Sequence, residues 1–290
     1  MPVKQAPRGS TVIVSAGPEV VSAAAQLACV LEASAEKPGN ITPSHDFDDT
    51  SYEDMLRSAI ALGPEIGRAG ERGVGETVLA AVRATRAVAG ANTNLGIALL
   101  LAPLAKAAFG DPPLRSHLTQ VVTSLTVDDA RAAYEAIRLA GAGGLDEPVE
   151  HDVRDEPTVT LREAMAAAAG RDAIAAEYAT GFEVTFGLGL PALRAALDDA
   201  LGPRDAIVEL ALRLLAEMPD TLIARKRGVS VAERVSAGAA RVLAAGGVRA
   251  REALAAFDAS LRADGNALNP GTTADLVTAV LFVALLEGTL

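Results

Sequence analysis

The sequence predicts an all-α fold, a compact multi-helix bundle of roughly a dozen helices. Three observations carry that prediction. Half of the 290 residues are apolar, enough to bury a sizeable core. Ala and Leu supply most of that content, against 6 Phe, 3 Tyr and no Trp, and small side chains of good helix propensity favour close-packed helices over sheets. Helix-start signals and chain breakers alternate along the chain, while β-branched or aromatic runs with period-2 alternation are scarce.

In chain order, the apolar run at 20–31 predicts a first helix, with the single Cys29 as a small core hydrophobe. Capping-box spacing at Thr50 and Glu53, Thr160 and Glu163, and Ser230 and Glu233 marks three further helix starts, and Thr126 with Asp129 a fourth. Lys37-Pro38-Gly39, Gly110 to Pro113, Gly141 to Gly144, Gly187 to Pro191, Gly202-Pro203, Gly246-Gly247 and Asn269-Pro270-Gly271 are the expected breaks. The last helix should begin near Thr272 and is apolar nearly all round, so it belongs at the centre of the core, with Thr272, Thr273 and Asp275 in its opening turn. The charged stretch 146–157 reads as a surface loop or a subdomain boundary. The helical pattern is similar on both sides, so the chain reads as a single all-helical domain over 1–290.

A net charge of −11 argues against a nucleic-acid partner or an anionic membrane surface. One cysteine excludes an intrachain disulfide. The apolar stretches at 95–105 and 276–286 are shorter than the ~20 residues that span a bilayer, and no signal-peptide pattern follows the first basic residues; the expected location is cytoplasmic. An Ala/Leu-rich helical protein readily forms a homodimer. Gly70 to Thr77 imitates P-loop spacing, but Glu76 stands where the lysine must be and no strand precedes it.

Four polar clusters interrupt this background. The first runs from Glu36-Lys37-Pro38-Gly39-Asn40 to His45-Asp46-Phe47-Asp48-Asp49, and its carboxylates suit a divalent cation or a general base. The second, Asn92-Thr93-Asn94 before Gly96, suits a phosphate or ribose hydroxyl. Asp220-Thr221 leading into Arg225-Lys226-Arg227 is the densest positive charge and suits phosphates. The fourth is Asn269-Pro270-Gly271-Thr272-Thr273-Ala274-Asp275. Each also has a plain structural reading: helix capping, or a basic helix C-terminus favourable against the dipole.

Taken in order from about Glu36 to Leu286, these clusters resemble the triphosphoribosyl-dephospho-CoA synthase family, which makes the prosthetic-group precursor of citrate lyase and malonate decarboxylase. The pieces that carry the resemblance are Lys37-Pro38-Gly39, Asp46-Phe47-Asp48, Asn92-Thr93 with Gly96, Asp220-Thr221 with its basic run, and Gly271 to Leu276. The resemblance implies transfer of the triphosphoribosyl group of ATP to the 2′-hydroxyl of 3′-dephospho-CoA with release of adenine. It implies Mg²⁺ as cofactor, Asp46 and Asp48 as catalytic, and Asp46, Asp48 and Asp49 as metal ligands. Lys37, Asn92, Thr93, Asn94, Asp220, Arg225, Lys226, Thr272 and Asp275 would bind substrate.

The departures are Ser44 where the family has His, Asn94 and Leu95 where it has His and Lys, and Pro270 to Thr273 in place of a glycine-rich run. They liken the chain to divergent relatives in methanogens and methanopterin-using organisms. Two alternatives follow: a same-fold enzyme with another acceptor or chemistry, such as a step in methanopterin-type cofactor synthesis, and a non-catalytic helical protein that binds a partner.

Overall fold

A computed structural model describes residues 16–89, 93–141 and 150–290. The described residues are helical throughout, with no strand beyond an isolated bridge between Thr42 and His45. The first six helices are α1 (Pro18–Ser34), α2 (Tyr52–Gly67), α3 (Val74–Arg86), α4 (Leu95–Ala108), α5 (Leu114–Thr123) and α6 (Val127–Ala140). After residue 150 come α7 (Leu161–Ala168), α8 (Ala173–Thr180), a π-helical stretch (Val184–Gly189), α9 (Leu190–Asp198) and α10 (Pro203–Glu217). The chain ends with α11 (Thr221–Arg227), α12 (Val229–Ala244), a 3₁₀ turn (Gly247–Arg249), α13 (Arg251–Arg262) and α14 (Gly271–Leu286). None of these helices is long and apolar enough to cross a membrane.

The core forms around the two helices that are apolar on every side. Every residue of α14 from Leu276 to Ala284 is buried, as is every residue of α4 from Ile97 to Ala105. A helix without a polar face has to be surrounded, and α14 is packed by α1, α4, α8, α9, α10, α11 and the π stretch. Pro64 and Pro103 sit inside α2 and α4 without ending either helix. Tyr178, fully buried on α8, donates its hydroxyl to the Leu99 carbonyl of α4 at 2.6 Å.

Two expected capping boxes form as read. Thr160 closes on Glu163 and Thr126 on Asp129. The one expected at Thr50 is displaced by a residue: Ser51 caps α2 and pairs reciprocally with Asp54, while the Thr50 carbonyl accepts from the Phe47 amide in the preceding turn. The box expected at Ser230 is absent, because α12 starts at Val229 directly after Gly228 and places Ser230 inside its first turn. Nor do Gly187 to Pro191 break the chain. Glu177, buried at the end of α8, accepts from the amides of Val184 (2.9 Å) and Thr185 (3.0 Å), so the π stretch starts on a satisfied acceptor. Pro191 then falls in the first turn of α9, where a missing N–H costs nothing. In the 146–157 loop, residues 146–149 lie outside the described residues, and the remainder is tied to α6 by the Tyr134 hydroxyl, which donates to the His151 carbonyl at 2.6 Å.

The starts of α3 and α6 are locked together by a single carboxylate. Asp129 closes its own capping box and also accepts the Gly75 amide at 2.9 Å. A Cβ at Gly75 would lie 2.1 Å from the Asp129 carbonyl oxygen, so only glycine permits this approach. Gly75→Ala should therefore cost about 1–3 kcal/mol through overpacking against backbone. A thermal melt followed by circular dichroism checks this; an unchanged midpoint would contradict the lock.

Candidate active site

Three buried polar residues, Asp220, Thr272 and Thr273, sit where the openings of α8, α11 and α14 meet. Asp220 is the N-cap of α11, and its Oδ1 accepts from the Leu222 (2.9 Å) and Ile223 (3.1 Å) amides. Its Oδ2 takes both the amide and the hydroxyl of Thr273, each at 2.8 Å, which fixes the first turn of α14 against α11. Burial raises the Asp220 carboxyl above its ordinary range, and these bonds partly offset that shift. Thr221 Oγ1 donates to Thr272 Oγ1 at 3.2 Å and accepts the Ala173 amide at 3.3 Å, which ties in the start of α8. Asp172 caps that helix through the Ile174 and Ala175 amides and pairs with Arg225 at 3.5 Å.

Asp275 lies half-buried two residues beyond Thr273 of this joint. The first turn of α4 presses on its carboxylate, and a Cβ on Gly96 would come within 2.0 Å of Asp275 Oδ2. Burial pushes the Asp275 carboxyl well above the usual carboxylate range, reinforced by Glu32, Asp220 and Asp172 and opposed by Arg225. Cys29 beneath it is raised by burial, then by Glu32 and Asp275, so it remains a thiol and no nucleophile.

Lys37 closes the far side from the interior. It is 1% exposed, paired to Glu32 at 2.9 Å, and donates to the Glu32 carbonyl at 2.5 Å and to the Ala35 carbonyl at 3.4 Å. Both charges of that pair are out of water, and removing one would strand the other. The same loop reaches α14 through Asn40, which donates to Asn269 Oδ1 at 2.7 Å.

The remaining sequence candidates stand apart from this floor or at its edge. Asp46, Asp48 and Asp49 are exposed. Asp46 Oδ1 accepts the Tyr52 amide at 2.7 Å, and Asp49 accepts the Thr50 hydroxyl at 3.1 Å. Among the described residues, no three His, Cys, Asp or Glu side chains converge as a metal cage. Asn92 lies outside the described residues. Thr93 donates to Ser58 at 2.7 Å, and Asn94 caps α4 only through its backbone. Lys226 is exposed, whereas Arg227 is held by Asp264.

The structure thus brings together Asp220, Arg225, Thr272 and Asp275, with Asn94 alongside and Lys37 behind. It leaves the three loop aspartates at the surface. Sequence reasoning passed over Glu32 and Asp172. Asp172 carries a readable signal, an acid directly before the apolar Ala173-Ile174 that it caps. Glu32 has only the oddity of a charge closing an apolar run. A shallow cavity of about 220 Å³ between α12 and α13, edged by Arg234, Arg241 and Phe257, shares no residue with the floor.

Fold and floor together define an all-helical protein whose candidate site is built from helix openings rather than strand ends. The chain belongs to the ATP:dephospho-CoA triphosphoribosyl transferase family (CitG), which it matches over residues 18–290. It is 27% identical over 233 residues to a Stutzerimonas stutzeri (strain A1501) protein assigned as 2-(5''-triphosphoribosyl)-3'-dephosphocoenzyme-A synthase, covering 78% of this chain and 69% of that one. It also resembles the crystal structure of an Archaeoglobus fulgidus protein assigned as triphosphoribosyl-dephospho-CoA synthase, at a TM-score of 0.65 and 28% identity. That alignment covers 80% of this chain and 99% of the other. The resemblance read from the sequence is therefore correct at the level of family.

Asp220→Ala removes a cap and strands the buried donors of Thr273, so it should lower unfolding free energy by about 2–4 kcal/mol. Asp46→Ala, which loses one exposed bond, should leave the denaturation midpoint close to wild type. Urea titrations of the two variants measure the contrast, and equal midpoints would mean that Asp220 does not join α11 to α14.

Proposed function

We propose that this chain transfers the triphosphoribosyl group of ATP to the 2′-hydroxyl of 3′-dephospho-CoA and releases adenine. The observation that carries this reading is the family match over residues 18–290, which takes in every element of the polar floor. We place the chain in the cytoplasm as part of the same reading.

The residues suit the chemistry. Displacement at the anomeric carbon passes through a transition state with oxocarbenium character, and a floor of carboxylates stabilises positive charge developing there. The same floor repels a bare triphosphate, so the phosphates belong toward Arg225 and Lys226 at its rim. Thr93 and Asn94 at the start of α4 suit the ribose or a phosphate. Mg²⁺ enters on ATP as part of the substrate. Asp46, Asp48 and Asp49 on the exposed loop would hold it as hard oxygen donors, and the ion would supply positive charge against the triphosphate. Lys37 acts from behind, holding the charge of Glu32 and the turn that leads into this loop.

The test is incubation of the purified chain with Mg²⁺-ATP, with and without 3′-dephospho-CoA, and chromatography of the products. Adenine should appear only with dephospho-CoA and in equal amount to the product. Adenine that requires some other hydroxyl acceptor would favour the same-fold alternative, for which Asn94 and Leu95 at the opening of α4 are the grounds. Asp46→Asn and Asp48→Asn should each lower turnover about tenfold or more with an unchanged melting temperature, and full activity in both would remove the loop from the mechanism.

A further inference from the structure

We infer that Asp275 takes the proton of the attacking hydroxyl and that Gly96 holds its carboxylate in place for this task. This rests on the transfer reaction proposed above. Asp275 on α14 feels the charge of three other carboxylates, from α1 (Glu32), the start of α8 (Asp172) and the start of α11 (Asp220), with Arg225 and Cys29 as the other titratable neighbours. Three of the four are occupied by the fold. Glu32 is paired with Lys37, Asp172 caps α8 and pairs with Arg225, and Asp220 accepts four hydrogen bonds.

Asp275 has no hydrogen-bond or ion-pair partner among the described residues, although it is the most hemmed in by like charge. The close approach of α4 confines it as well: a Cβ at Gly96 would meet Asp275 Oδ2 at 2.0 Å and Ile174 Cδ1 at 2.6 Å.

A second observation comes from the same opening of α4. Asn94, 2% exposed and two residues before Gly96, has a side-chain Nδ2 with no acceptor. A free acceptor and a free buried donor beside one helix opening match an alcohol, which donates one hydrogen bond and accepts another.

In the step, the acceptor's oxygen forms a bond to C1′ of the ribose of ATP, and the bond from C1′ to N9 breaks. Its electron pair leaves with adenine, which is protonated from solvent, and the hydroxyl proton passes to Asp275. A carboxyl raised by burial and acidic neighbours is, once ionised, a stronger base than an exposed one.

The test uses the full chain with Mg²⁺-ATP and 3′-dephospho-CoA, comparing wild type with Asp275→Asn. The variant should lose about 10²–10⁴-fold in kcat, keep its affinity for ATP, and lose the acid limb of the pH–rate profile. The melting temperature adds a readout that a structural role would move the other way. The folded-state pKa of Asp275 is raised, so its stabilising contribution is present at low pH and lost as pH rises through that value. At neutral pH, Asp275→Asn should therefore melt at or above wild type, with a flatter dependence on pH.

Gly96→Ala should lower kcat with less effect on ATP binding, as expected of a positioning residue. Retained kcat with the acid limb intact in Asp275→Asn would overturn the assignment, and so would joint loss of ATP binding and melting temperature. If the wild type itself releases no adenine, the transfer reading fails first and the assignment fails with it.

Discussion

The joint between Asp220 and the first turn of α14 is the contact on which the rest of this architecture depends. Taking a carboxylate out of water is expensive unless donors replace the water. Asp220 finds four: two amides that α11 would otherwise leave unsatisfied, and the amide and hydroxyl of Thr273. The same bonds that make its burial tolerable fix two helix starts relative to each other. Since α14 is the helix that α1, α4, α8, α9, α10 and α11 all touch, its opening turn becomes the reference for everything around it.

A helix without a polar face is usually only a core element. Here the polar atoms at its open end do something more, because the helix starts around it bring their own. Asp172 arrives with α8, Thr221 and Arg225 with α11, Asn94 and Gly96 with α4. Helix openings carry positive potential and exposed amides, and the carboxylates of Asp172 and Asp220 neutralise those of α8 and α11. The resulting floor is acidic with a basic rim. Under the proposed reaction this polarity separates two tasks, the rim meeting the phosphates and the floor meeting the electron-poor ribose carbon.

Much of the fold was legible because helix formation depends on neighbours three or four residues away. The boxes at Thr126 and Thr160 formed as read, since everything they need lies within one turn. At Ser51 and Asp54 the pattern beside it won by one residue, because the turn that joins Phe47 to Thr50 had already used the Thr50 carbonyl. Ser230 had the right spacing but no free helix start to cap. Gly187 to Pro191 looked like a break because glycine weakens a helix in general; the buried Glu177, farther back in the chain, supplied the acceptor that kept it helical.

The site divides along the same line. Asp220, Arg225, Thr272 and Asp275 could be picked out from sequence because polar residues clustered at predicted helix ends stand out in an Ala/Leu background, and their order carried the family resemblance. Sequence by itself therefore determined the helical class, the family and the segments that supply the floor, all of which depend on short-range pattern and composition. It could not separate an occupied carboxylate from an unoccupied one. Asp46 stays at the surface with one oxygen on the Tyr52 amide, Lys37 is withdrawn to Glu32, and Asp275 is left without a partner among the described residues. Only the tertiary structure decided those differences, because burial and partnership arise between helices far apart in the chain, and a carboxylate's chemistry follows from what surrounds it.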